Sequence, residues 1–243
     1  TDYVAWVWKA GDHDDNLPQI NTEGTIDSVV SVNDAAGFSI VKYTGEGAAR
    51  TVGHGLSSTP EMVIIKNLDD ARNWTVYHTG LSSSSYINLN SSAAETTDTR
   101  TDGGQPRPFG PFNSTTFGVN IDNETGHTNN YIAYCWYSVT GYSKIGSYTG
   151  VTGNKTVTTN FRPRFLLIKN KSSAGNNWNI MDSTRDANNP IELNLWADTS
   201  DSEATASQSG IYDVDFNDDG FTIKNNFNPF NGNGEIYIYL AIK

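Results

Sequence analysis

The chain has 243 residues, with 27 acidic against 16 basic side chains, a formal charge of −11 and an aromatic fraction of 12%. That aromatic content is too high for a disordered chain, and no apolar run approaches the roughly 20 residues of a membrane helix. The acidic balance repels phosphate and argues against nucleic acid as a partner, and the single cysteine, Cys135, excludes a disulfide framework or a cysteine metal cluster.

Taken in chain order, residues 1–9 contain Tyr3-Val-Ala-Trp-Val-Trp-Lys9, which reads as the terminal strand of an upstream unit or an edge strand of the first domain. Residues 10–36, polar and rich in Asp and Asn, read as a linker. From residue 37 onward, short apolar runs alternate with turn residues. Phe38-Ser-Ile-Val-Lys, Met62-Val-Ile-Ile65, Trp74-Thr-Val-Tyr and Tyr131-Ile-Ala-Tyr-Cys-Trp136 read as strands. Gly45-Glu-Gly, Asn67-Leu-Asp-Asp and Asp122-Asn-Glu-Thr-Gly read as turns. Met62–Ile65 is apolar on both parities, as suits a strand covered on both faces. No long helical periodicity occurs, so no helix beyond about three turns is expected.

The pattern then returns. Gly37-Phe-Ser-Ile-Val-Lys-Tyr-Thr-Gly45 matches residues 141–150. Pro60-Glu-Met-Val-Ile-Ile-Lys-Asn67 matches Pro163-Arg-Phe-Leu-Leu-Ile-Lys-Asn170, and Trp74 matches Trp178. Residues 86–90 match 191–195, Phe117 matches Phe221, and 131–136 match 237–242. Six ordered matches at offsets of 103 to 106 residues predict two copies of one unit, over 37–140 and 141–243. About seven short strands per unit predict an all-β chain of two tandem antiparallel β-sandwich, jelly-roll-like repeats, each large enough for its own core. Trp74, Trp178 and Trp136 are expected as core anchors. Trp196 has no counterpart in the first copy and is the better candidate for an exposed contact.

Chemistry-bearing motifs are scarce. The four histidines have no second His at metal-ligand spacing, and there is no nucleophile elbow or phosphate loop. Asp213-Val-Asp-Phe-Asn-Asp-Asp-Gly220 lacks the Gly and Glu of a calcium loop at the required places and reads as a strand running into an Asp218-Asp-Gly turn. No strand aims two carboxylates at one sugar. The expectation is therefore no catalytic residue, no metal and no cofactor. Binding is expected from the connections that differ between the copies, above all residues 91–112 with Arg100, Arg107 and Phe109.

The succession Gly-Phe-Ser-Ile-Val-x-Tyr-Thr-Gly, Val52-Gly-His-Gly-Leu56, Pro-x-Met-Val-Ile-Ile-Lys-Asn and Trp-x-Val-Tyr-His resembles a repeated domain of unknown function found in predicted virion proteins of tailed phages, especially marine phages and cyanophages. The resemblance implies a virion structural protein at the particle surface, a tail fibre or spike component that contacts the host. Other virion proteins, further copies of itself (three in a fibre) and a host-surface glycan would be its partners. A capsid- or tail-decorating protein without a receptor is the alternative, and a carbohydrate-active enzyme the third reading.

Overall fold

The computed structural model describes residues 3–11, 19–102, 104–204 and 212–243. Its first half contains β1 (Gln19–Asn21), β2 (Ser28–Asn33), a 3-10 turn (Asp34–Ala36), β3 (Phe38–Thr44), β4 (Arg50–Gly53), β5 (Met62–Asn67), β6 (Trp74–His78) and β7 (Ser85–Asn88). These are followed by β8 (Thr96–Thr97), β9 (Thr101–Asp102), β10 (Gln105–Pro106), β11 (Phe109–Phe112), β12 (Thr116–Val119) and β13 (Asn130–Trp136). The second half contains β14 (Ser143–Thr149), β15 (Lys155–Thr158), β16 (Phe165–Asn170), β17 (Asn179–Asp182), β18 (Leu195–Trp196), β19 (Val214–Asn217), β20 (Gly220–Ile223), the short helix α1 (Asn228–Asn231) and β21 (Ile236–Ile242). The chain is all-β, and these strands pair antiparallel.

Each half pairs a large sheet with a small one. In the first, the eight-stranded sheet β1-β2-β3-β13-β5-β6-β7-β8 lies against β11-β12-β4. In the second, β14-β21-β16-β17-β18 lies against β15-β20-β19. The shared strand order comes with shared side-chain bonds. Tyr43 and Tyr131 stack at 5.2 Å, and Tyr148 and Tyr237 at 4.9 Å. The Asn67 side chain accepts from Asp69 and Asp70 N–H and donates to Asn123 O, while that of Asn170 accepts from Ser172 and Ser173 N–H and donates to Asn228 O. Trp74 N–H donates to Asn90 Oδ1, and Trp178 N–H to Asp198 Oδ1.

That last correspondence corrects one of the six sequence matches. Thr75 pairs with Asn88, and Asn179 pairs with Trp196, so residues 86–90 correspond to 194–198 rather than 191–195. Ile191 instead bridges Val214 of the small sheet. A period-2 pattern with several apolar residues matches at more than one shift, and only the backbone pairing separates them.

The two halves do not stand apart. Between the large sheets lies a third apolar core, built from Phe38, Met62, Ile64, Val76 and Trp136 on one side and Phe165, Leu167, Trp178, Leu240 and Ile242 on the other. This explains the doubly apolar strands. In β5, Val63 and Ile65 face the first sandwich interior while Met62 and Ile64 face the neighbouring half. Trp178 is fully buried there and donates from Nε1 to Asn88 O across the interface at 2.9 Å. Trp136 is buried and stacks on Phe38. Trp74 is only half-buried, stacking on Tyr134 at 6.4 Å, so its match to Trp178 is one of position and not of burial.

The amino-terminal expectations change. Residues 3–11 form no strand; Trp6 and Trp8 instead pack edge-on against Phe165 of the second half, and Trp6 Nε1 donates to Asp182 Oδ2 at 3.1 Å. The segment read as a linker supplies β1 and β2, with β2 paired along β3. Its Ile26 and Val30 are buried members of the first core, and Val32 packs against it.

A candidate ligand cleft beside the variable connection

Residues 89–108 connect β7 to β11 in the first half, and 197–213 connect β18 to β19 in the second. The start of the first connection is a brace between the halves. Glu95 N–H donates to Lys171 O and Gly175 N–H to Ser92 O, each at 2.9 Å. Lys171 Nζ reaches Glu95 Oε1 at 3.1 Å. Burial works to raise the Glu95 carboxyl, but bonds from Ser82 and Lys171 outweigh it and hold it below the usual range. Lys169, fully buried, donates from Nζ to Ser92 O and to Asn176 O, and burial pulls its ammonium down to about 8.

Of the three expected binding residues, Arg107 and Phe109 both border one cleft, while Arg100 does not line it. Arg100 forks onto Asp98, with Nη2–Oδ2 at 2.6 Å and Nε–Oδ1 at 2.9 Å, and that bond holds the Asp98 carboxyl below its usual range. Arg100 therefore fastens its own loop. Phe109 does not serve as a surface contact. Its ring is buried in the first core, edge-on to Tyr77 at 5.9 Å, because β11 pairs Phe109 with Val119. Within residues 91–112, read from the sequence as a variable connection, Phe109–Phe112 form a strand of the small sheet and Gln105–Pro106 pair with Thr101–Asp102.

Arg107 is different. It lines a cleft of about 370 Å³, together with Thr59, Tyr77, Thr79, Ser83, Ser84 and Phe112. Its Nε is buried without a hydrogen-bond partner. Tyr77 and Phe112 stack at 3.7 Å between centroids. Ser84 holds φ at 55°, a left-handed conformation that costs a non-glycine residue energy. Sequence reasoning missed Tyr77, Phe112 and the serines; the signal available was the run Ser82-Ser-Ser-Ser85 between two strands.

His78, also on the cleft wall, is buried. Its Nδ1 accepts from Gly80 N–H at 2.9 Å while Nε2 faces Tyr239 O at 3.2 Å. A carbonyl only accepts, so the proton sits on Nε2 and the ring is neutral. Burial pulls its pKa down to about 4.

Other sequence candidates find structural roles. Trp196 is half-buried and donates from Nε1 to Asn179 Oδ1. Asp218-Asp219 form the tight turn between β19 and β20, and Asp215 pairs with Lys224 at 2.5 Å. Burial pushes the Cys135 thiol up. Among the described residues, no group of three or more His, Cys, Asp or Glu is placed to hold a metal. The acidic cluster Asp12–Asn16 lies outside the described residues.

No curated protein and no solved structure matches the chain. One family model does, and it takes in the amino-terminal segment and both halves together, as the core between the sheets does. Over residues 1–243 the chain belongs to the family described as a domain of unknown function (DUF7483).

Proposed function

We propose that the chain is a structural protein of a tailed-phage particle, part of a tail fibre or spike, and that it contacts the host surface. The observation that carries this reading is the cleft at Arg107. It is a pocket bordered by Ser, Thr, Tyr, Phe and Pro residues and held between the strands of the first half, and no Asp or Glu is among the described residues that line it. Such a pocket is suited to binding, whereas two-acid glycoside chemistry needs carboxylates on either side of the bond. Three apolar cores, one in each half and one between them, hold the sheets together, as suits a part exposed on a particle surface.

One feature favours the decorating alternative. Among the described strands, β14 is the edge of its sheet, with the Ile145 N–H taken by Ser138 Oγ, whereas its counterpart β3 is covered by β2. An open edge strand is a ready site for lateral pairing between copies. Antibody labelling of purified particles separates the readings. Label at the tail tip, with free chain competing against adsorption, supports host contact. Label spread over the capsid lattice, with adsorption unaffected, supports decoration. Particles carrying no label overturn both.

A further inference from the structure

We propose that the cleft at Arg107 is a binding site for a carboxylate-bearing sugar, with the Arg107 guanidinium on the carboxylate. The inference rests on the host-contact reading and names the ligand class that reading leaves open.

The first ground is the state of Arg107. Arg50, Arg72, Arg100, Arg162 and Arg185 each have a carboxylate within 4.0 Å. Arg107 and Arg164 have none among the described residues, but Arg164 is exposed to water whereas the Nε of Arg107 is buried without a partner. Asp98 is near enough for the charge of Arg107 to lower its carboxyl, but both of its oxygens are engaged by Arg100. A desolvated guanidinium donor without an acceptor is costly, and an incoming anion removes that cost. Its planar fork fits a carboxylate with two parallel bonds.

The second ground is the wall chemistry. Ser83, Ser84, Thr59 and Thr79 border the same cleft, and hydroxyl side chains both donate to and accept from sugar hydroxyls. Tyr77 and Phe112 supply the apolar surface that a sugar ring's C–H face needs. A bare anion would use the arginine and leave the rest idle. The chain's charge of −11 also disfavours a dense polyanion, so one carboxylate per bound unit is the better fit.

The experiment is calorimetric titration of the full chain with a disaccharide containing glucuronic acid, with cellobiose as the neutral match and inorganic phosphate as the bare anion. The glucuronide should bind at least tenfold more tightly than either. Arg107→Gln should remove that preference. Arg107→Lys should keep part of it, since it keeps the charge and loses the fork, and Arg162→Gln should leave it unchanged. Thermal melts of each variant show whether the fold survives; if Arg107→Gln unfolds, the comparison of Arg107→Lys with the unmodified chain decides. The proposal is overturned if the glucuronide does not bind, if Arg107 variants bind it equally well, or if phosphate matches it. Particle labelling fails separately: a chain absent from particles that still binds glucuronide sinks the virion reading and leaves this site standing.

Discussion

The two halves differ where they face each other more than where they face their own interiors. Inside each sandwich the tyrosine pair and the turn-closing asparagine recur with the same bonds. At the interface, equivalent places hold different chemistry. His78 pairs with Met62 where Asp182 pairs with Phe165. His78 is neutral and bonds Tyr239 O; Asp182 is charged and holds Arg185 at 2.5 Å together with the Trp6 indole. Where substitution occurs inside, it is compensated. Val41 opposite Ala133 in the first half becomes Gly146 opposite Tyr239 in the second. A side chain on Gly146 would meet the Tyr239 hydroxyl oxygen at 2.7 Å. An interior must be filled to the same volume in both halves, whereas the interface places two different neighbours against one kind of face.

The largest expected effect tests the tryptophans. Trp178→Ala should cost about 3–5 kcal/mol, the usual loss for a buried large aromatic. Half-buried Trp74→Ala should cost clearly less. Urea melts measure both, and equal losses would break the distinction between a sealed and an open end of the interface. Because Trp178 belongs to the shared core, its loss should shift one common transition and not split the halves.

Acid comes next. The unfolded His78 takes a proton near 6.5 and the folded one only near 4. Between these values the unfolded chain binds more protons, so stability falls as pH drops from about 6.5 to 4, by up to about 3 kcal/mol. At Asp182, burial works to raise the carboxyl, but bonds from Arg185 N–H and its guanidinium win and lower it. Its contribution is therefore present above the ordinary carboxylate value and is lost only at still lower pH. Urea melts from pH 7 to 4 should show a slope that His78→Gln flattens. An unchanged slope would mean the ring is not sealed in the interface.

The compensated pair predicts non-additivity. Gly146→Val alone should cost about 1–3 kcal/mol by overpacking. Combined with Tyr239→Ala, which rebuilds the first-half pair, the double variant should be more stable than the two single losses added together. Strict additivity in a double-mutant cycle would show that the two sites do not share one space.

The smallest effect concerns β2. Gly55 and Asn160 both hold left-handed backbone, at φ 72° and 68°. Only Gly55 lies under β2, where a Cβ would come within 2.7 Å of Val32 Cγ2. Asn160→Gly should change stability by a few tenths of a kcal/mol, since Asn already tolerates this conformation. Gly55→Asn should cost more than that in the same melts, and an equal response would mean that β2 does not press on the turn.

The sequence by itself determined the all-β class and the central strands. Apolar runs with period two and Asn- and Gly-rich turns are local signals that survive without a partner. Met62–Ile65 even showed that both faces would be covered. What covers the second face was decided only by tertiary structure, since an apolar residue carries no address. The same holds at the amino terminus, where Trp6 and Trp8 read as strand residues and became packing against Phe165. For the candidate site, the sequence placed Arg100, Arg107 and Phe109 in one connection; the fold sent Arg100 to an ion pair and set Arg107 beside a cleft whose floor the buried Phe109 ring helps to form. An arginine nitrogen buried without a partner is defined by what the other residues place around it, and that is a property of the folded chain alone.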